Sequence, residues 1–284
     1  MIRLARETDR PAVAAIWASA FGDPPEYINF FMRNRFDPTG CLLSLDDAGR
    51  PAAAVHLLPA EYVDATGASA PVQYLYAAAT LPECRRQGRM AGLIERADVL
   101  GRERGCRFTC LLPASEKLYA YYGAHGFSTA FFVRAASADR AELAAAAGTE
   151  PARLIPVSMQ SLCRMRRAYF APAVLWEQDM LAYAVCEWKY GGGELIAFEG
   201  GYSLCHKAGG RVLVKELCVE RTDWPRVAAL LLARYPADRF EFLLPPDSAL
   251  FPNAKKMPYG MLRPCGDAKE ACDTSHAYIN LLLD

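Results

Sequence analysis

Apolar positions recur along this chain with two different periods, and the switches between them outline an alternating order of strands and helices. Residues 2–5 read as a strand. Thr8, Asp9, Arg10 and Pro11 then give a capping and proline-start signal, and Val13, Ile16, Trp17, Ala20 and Phe21 follow at helical spacing. Residues 26–36 predict a second helix with Tyr27, Phe30 and Phe31 on one face. Residues 41–45 and 51–62 predict two strands joined by a polar turn, and residues 74–80 a fourth. A basic, glycine-containing turn leads from there into a long helix on which Met90, Leu93, Ile94, Ala97 and Leu100 share a face. Residues 107–112 form a further strand, and Ser115 is placed to cap a helix carrying Leu118, Tyr121, Tyr122 and His125. Gly126 ends that helix, and residues 127–134 return to strand spacing.

The stretch 135–153 is rich in alanine and lacks aromatic residues, so it reads as a connector, part of it helical. Beyond it the pattern echoes the first half. Arg107, Phe108, Leu111, Leu112 and Pro113 are matched by Arg239, Phe240, Leu243, Leu244 and Pro245, each block preceded by a strand and a helix. The second copy passes from residue 219 to its helix through Glu220, Arg221, Thr222, Asp223, Trp224 and Pro225 with no glycine turn. The expected organisation is α+β, with a first domain at 1–135, a linker at 136–153 and a degenerate second copy at 154–284.

A length of 284 residues and 52% hydrophobic content suit two ordinary domains with sizeable cores. Lys plus Arg and Asp plus Glu number 32 each, which removes any general electrostatic case for nucleic acid or an anionic membrane surface as partner. Any affinity for anions must be local. Ten cysteines without a CxxC pair and four dispersed histidines point to reduced thiols and to no metal site. The N-terminus lacks an apolar leader and no run is long enough to span a membrane, so a cytoplasmic location is expected.

The turn between the fourth strand and the long helix, Leu81 to Gly88, is the main candidate for chemistry. A strand ending in a basic, glycine-containing turn that launches a helix aims backbone N–H groups at a phosphate, with Arg85, Arg86 and Arg89 as mobile positive charge around it. The plainer reading is a solvated helix start.

The run Ala79, Thr80, Leu81, Pro82, Glu83, Cys84, Arg85, Arg86, Gln87, Gly88, Arg89, Met90 resembles the acetyl-CoA motif of the GNAT superfamily of N-acetyltransferases. Downstream, Tyr121, Tyr122, Gly123, Ala124, His125, Gly126 and Phe127 resemble that family's second block, with a tyrosine four residues before the glycine. The tandem plan resembles the enhanced-intracellular-survival type. Met90 departs from the usual Gly or Ala at its position, and the chain is shorter than that type. The resemblance implies a GNAT fold, two tandem GNAT-like domains with the second degenerate, and direct acetyl transfer from acetyl-CoA to a primary amine of a small molecule or peptide. It assigns acetyl-CoA to Ala79, Thr80, Arg85, Arg86, Gln87, Gly88, Arg89, Met90 and Ala91, and gives Tyr122 the role of acid to the CoA thiolate. Ser115 either caps its helix or touches the pantetheine, and Tyr122 by itself also reads as a packing residue.

No general base is identified: Glu83 lies in the motif but is expected to point to solvent, and Glu26 or Tyr76 could approach the acceptor through water. Similar tandem proteins present their terminal carboxylate to the site, which makes Asp284 a second catalytic candidate beside the plainer expectation that an apolar strand runs to the chain end and closes a sheet. The aromatic second helix and Trp17 read as core or as the lining of an acceptor pocket. Trp176, Glu177, Trp188, Glu199 and Trp224 offer acidic or aromatic surface for a cation. The competing function is a CoA-binding sensor or interaction protein without turnover, and the sequence is compatible with a homo-oligomer.

Overall fold

The computed structural model describes residues 1–266, 274 and 276–283. They divide into two compact units. The first holds Met1–Glu61, Ala70–Thr129 and residues 261–266; the second holds Tyr62–Ser69, Ala130–Gly260 and the remaining described residues. The division is therefore not sequential. A piece of the C-terminal part belongs to the first unit.

In chain order the elements are β1 (Ile2–Leu4), α1 (Arg10–Phe21), α2 (Pro25–Asn34), β2 (Cys41–Leu45), β3 (Pro51–Val63), β4 (Ser69–Thr80), α3 (Arg89–Glu103), β5 (Phe108–Leu111), α4 (Glu116–Gly123) and β6 (Ser128–Asp139). They continue with α5 (Arg140–Ala146), α6 (Met159–Phe170), β7 (Ala173–Leu175), α7 (Gln178–Tyr190), β8 (Gly193–Phe198), β9 (Gly201–Ala208), β10 (Arg211–Cys218), α8 (Trp224–Arg234), β11 (Arg239–Leu244), β12 (Lys255–Pro264) and β13 (Tyr278–Ile279).

The first unit is a mixed sheet in the order β1-β2-β3-β4-β5-β12. β1, β2 and β3 pair antiparallel, and β5 pairs antiparallel with residues Met261–Pro264 of β12. Helices cover both faces, which is why β2 and most of β3 are buried at successive positions rather than alternate ones. On one face Leu42, Ala53, Val55, Leu57 and Leu75 pack with Leu93, Ile94, Ala97 and Leu100 of α3. On the other, His56 lies between Trp17 of α1 and Phe31 of α2, its ring centroid 5.9 and 4.8 Å from theirs. Each fully buried Leu or Phe of such a core contributes roughly 1.5–3 kcal/mol.

Gly101 shows how tightly α3 is seated. A Cβ there would lie 2.6 Å from Cys265 Sγ and 2.8 Å from Gln73 Nε2. The Gln73 amide cannot swing aside freely, because Nε2 donates to Ala97 O and Thr109 Oγ1, both at 2.8 Å. Gly101→Ala should therefore destabilise by about 1–3 kcal/mol through overpacking, despite alanine's better helix propensity. The urea midpoint of unfolding measures this.

The second unit carries the strand order β6-β11-β10-β9-β8 and the parallel pair of β7 with β13. Its β10-α8-β11 segment repeats the β4-α3-β5 plan, because β10 pairs parallel with β11 as β4 does with β5. The echoed sequence blocks are thus the same topological element in each unit.

Three expectations need correction. Residues 136–153 are not a connector: β6 runs to Asp139, and Asp139 caps α5, reciprocally with Glu142, through two 2.8 Å bonds. The alanines fit there because Ala138 and Ala136 stand opposite Phe240 and Phe242 in the sheet. Asp9 precedes α1 without capping it, since its carboxylate is held by Arg3 at 2.6 and 2.9 Å and by the Arg6 N–H at 2.7 Å. The final apolar run is a strand only at Tyr278–Ile279, and Asn280 beyond it enters a buried polar network.

Candidate active site

β4 and β5 pair at only two positions, Gln73 with Thr109 and Tyr74 with Cys110. Just beyond, Ala77 takes φ +48°, a left-handed conformation that breaks the pleat of β4. The corresponding pair in the second unit, β10 with β11, holds four positions. In the first unit the pairing of β4 with β5 stops at Tyr74 and Cys110, short of Ala79 and Thr80. The Ala79 side chain is buried, and the Thr80 carbonyl already accepts from Arg85 Nε at 3.1 Å.

Past Thr80 the chain forms a short 3-10 turn at Pro82–Cys84 and then two left-handed residues, Arg86 at φ +60° and Gly88 at φ +72°. Alternating hand in this way turns successive N–H groups toward one concave side, and the first-turn N–H groups of α3, on Arg89, Met90 and Ala91, have no acceptor within the helix. Arg85, Arg86, Gln87 and Gly88 are exposed. The arginines are not equally mobile. Arg89 is fastened by its guanidinium to Leu45 O at 2.7 Å and to Gln87 Oε1 at 3.1 Å, which corrects its reading as a loose charge. Met90 packs against the cluster under α3, which accounts for an apolar residue at its position.

Tyr122 faces inward from α4 and is buried in the same cluster as Leu93, Ile94 and Ala97 of α3. Its ring makes edge contacts with Phe127 at 5.6 Å and Tyr121 at 5.3 Å. Burial pushes its phenol up to about 12, with the neighbouring Tyr121 adding to the shift, so it holds its proton throughout the neutral range. Tyr119 is partly buried against this cluster, whereas Tyr121 is exposed. Ser115 stands at the N-cap of α4 but its hydroxyl makes no capping bond, and it is exposed. The capping expectation fails.

On the opposite face of β4, Tyr74 and Tyr76 join the aromatic group of α1 and α2. Tyr76 lies 5.6 Å from Trp17 and 5.7 Å from Phe31, and its hydroxyl is 3.3 Å from that of Tyr27. Burial lowers His56 to about 3, so it is neutral. Glu26 and Glu83 are exposed. Asp284 lies outside the described residues. The tryptophans of the second half are interior or packed: Trp176 donates to Leu281 O at 2.7 Å, Trp188 donates to Glu194 O, and Trp224 packs on Phe242 and Phe251. No group of three or more metal-ligating side chains occurs among the described residues, and no helix there is long and apolar enough to cross a membrane.

Sequence reading missed Met261 and Arg263. Met261 packs into the Tyr122 cluster, and Arg263 bonds to Glu95 of α3 and to the carbonyl of His125. No local signal marks them, because their partners are far away in the chain.

The first unit thus combines a parallel pair that ends early, a turn with left-handed residues and a helix launched from it. Residues 1–130 match the family model described as an acetyltransferase (GNAT) domain. In fold the chain is similar to a probable N-acyltransferase from Enterococcus faecalis V583, at 15% identity and TM-score 0.77 over 93% of this chain and 72% of that one. It is also similar to a GCN5-related N-acetyltransferase from Kribbella flavida, at 18% identity and TM-score 0.71 over 93% and 72%. Eis1 from Mycobacterium abscessus gives 15% and 0.71 over 94% and 74%. No curated protein sequence matches the chain.

Proposed function

We propose that this chain transfers an acetyl group from acetyl-CoA directly to a primary amine of a small molecule or peptide. The observation that carries this reading is the left-handed turn at Arg86 and Gly88, set between the C-terminal end of β4 and the start of α3, with Tyr122 in the cluster beneath that helix. The turn and the first N–H groups of α3 hold the pyrophosphate, and Arg85 and Arg86 add charge where it is exposed. Main-chain groups of Ala79 and Thr80 pair with the pantetheine as an added strand and orient the thioester. Ser115, exposed and making no capping bond, keeps its hydroxyl available to the pantetheine.

The attacking amine must be neutral, and its unperturbed pKa lies near 10, so it gives up a proton on or before attack. The leaving thiolate must be stabilised. Tyr122 suits that task because it is protonated at neutral pH and donates without first acquiring a proton. Tyr27 and Tyr76, half-buried beside the core rings of Trp17 and Phe31 on the other face of β4, suit the organic part of an acceptor, with a protonated amine attracted to ring faces.

Acetyl-CoA should raise the melting temperature of the wild type, and Gly88→Asp should abolish that rise. A Cβ at Gly88 meets nothing within 4 Å, so the variant keeps its fold while setting a negative charge and a strained φ at the anion site. An undiminished shift in the variant contradicts the assignment.

A further inference from the structure

We propose that Arg263 is a positioning residue for Tyr122, acting from the C-terminal part of the chain on the end of α4; the inference rests on the role given to Tyr122 above. The end of α4 is wound tightly. The carbonyl of Tyr122 itself accepts from the N–H groups of His125 at 2.9 Å and Phe127 at 3.1 Å, and Gly126 turns the chain at φ +81°. The carbonyl of His125, in the same turn, accepts from Arg263 Nη1 at 3.1 Å. The guanidinium also grips Glu95 of α3 with both forks, Nη1 to Oε1 at 2.7 Å and Nη2 to Oε2 at 3.0 Å, with Asp98 at 3.9 Å. One side chain thus ties the helix that begins at the anion turn to the turn that ends the tyrosine helix.

The strand carrying Arg263 reinforces this. Met261 and Arg263 lie two residues apart on β12 and so project from one face, opposite Leu111 and Thr109 of β5. Met261 is buried in the cluster that contains Tyr122. A cation at a helix C-terminus complements its dipole, and a bidentate guanidinium–carboxylate pair fixes geometry as well as charge. The side chain of Arg263 is only 19% exposed, so the clamp is partly shielded from solvent. The guanidinium packs over the turn, since a Cβ at Gly126 would lie 3.5 Å from Arg263 Nε, in ordinary contact.

The test is a double-mutant cycle on the full chain with Arg263→Met and Tyr122→Phe. Thiol release from acetyl-CoA is followed with the first active amine among spermidine, kanamycin, lysine and a lysine-bearing peptide. Arg263→Met should lower kcat about 10-fold with the KM for acetyl-CoA little changed, Arg263→Lys should recover part of the loss, and Arg263→Met should have no further effect in the Tyr122→Phe background. Glu95→Gln, at a side chain 61% exposed, should give a smaller loss in a chain whose fold is not at risk. Full activity in Arg263→Met, or an equal loss in both backgrounds, overturns the positioning role while leaving that of Tyr122 intact. Wild-type turnover in Tyr122→Phe instead overturns the role of Tyr122 and the coupling with it. Amide exchange supplies a readout that needs no amine: Arg263→Met should speed exchange about 10-fold across 116–127 and leave α1 unchanged. Unchanged exchange there also overturns the proposal.

Discussion

Replacing Tyr122 by Phe should lower kcat for acetyl transfer by about 10²-fold or more, the scale of a lost proton donor. The KM for acetyl-CoA should hardly move. The ring remains to fill its place against Phe127 and the α3 cluster, so the melting temperature should stay within a few degrees of the wild type. The pH profile carries a second sign. Burial raises the phenol, so its protonated form persists well above neutrality, and the donor is lost only as pH climbs toward about 12. The rate should therefore rise with pH as the acceptor amine loses its proton, with no descending limb from Tyr122 below about pH 10. A variant that binds acetyl-CoA normally and turns over at the wild-type rate contradicts the assignment.

The largest stability effect is expected in the second unit, at Glu216→Gln. Arg166 and Glu216 are both buried and paired through two bonds, Nε to Oε1 at 3.0 Å and Nη2 to Oε2 at 2.9 Å. Tyr202 donates to the same carboxylate at 2.5 Å, and Arg166 Nη2 also donates to Asn280 O at 2.7 Å. Removing one charge strands the other away from water, which costs about 3–5 kcal/mol. For a unit of this size that is a fall in melting temperature of roughly 6–20 °C. Replacing both members with apolar residues of matching volume should recover much of the loss, because the pair's attraction is largely offset by desolvation. Calorimetry on the single and double variants separates the two cases. The network also holds the chain end, since Asn280 Nδ2 donates to Lys215 O at 2.7 Å and to the Tyr278 hydroxyl at 3.1 Å.

What the sequence reveals and what it hides divide along the range of the contacts involved. The strand, turn and helix around residues 74–100 are legible because every signal is local: a β run, a glycine needed at φ +72°, and a helical apolar stripe. The echo of that unit at residues 211–244 is legible for the same reason, and the structure gives both the same parallel pairing. The alanine-rich stretch misleads because its composition resembles a linker, while the reason for it is the pair of phenylalanines opposite, about a hundred residues away. Asp9 misleads because a capping signal cannot show that Arg3 takes the carboxylate first. Placement of Met261–Pro264 of β12 in the first unit and the Arg263 clamp are invisible for a stronger reason. Arg263 and Glu95 are separated by 168 positions, and neither has a neighbour that marks it.

These misses share a consequence for the site. Acetyl-CoA chemistry reads as the property of the first half of the sequence, yet residues 261–266 belong to the same compact unit as Tyr122 and α3. A chain cut at residue 135 lacks Met261 and Arg263.

The most direct test of the account is thiol release from acetyl-CoA by the full chain across aminoglycosides, polyamines, amino acids and peptides, with the acetylated amine identified by mass. The account predicts release matched one for one by an acetylated primary amine, and its loss in Tyr122→Phe. Acetyl-CoA binding that Gly88→Asp abolishes, with no thiol release for any amine of the panel, would contradict it and make the chain a CoA-binding sensor.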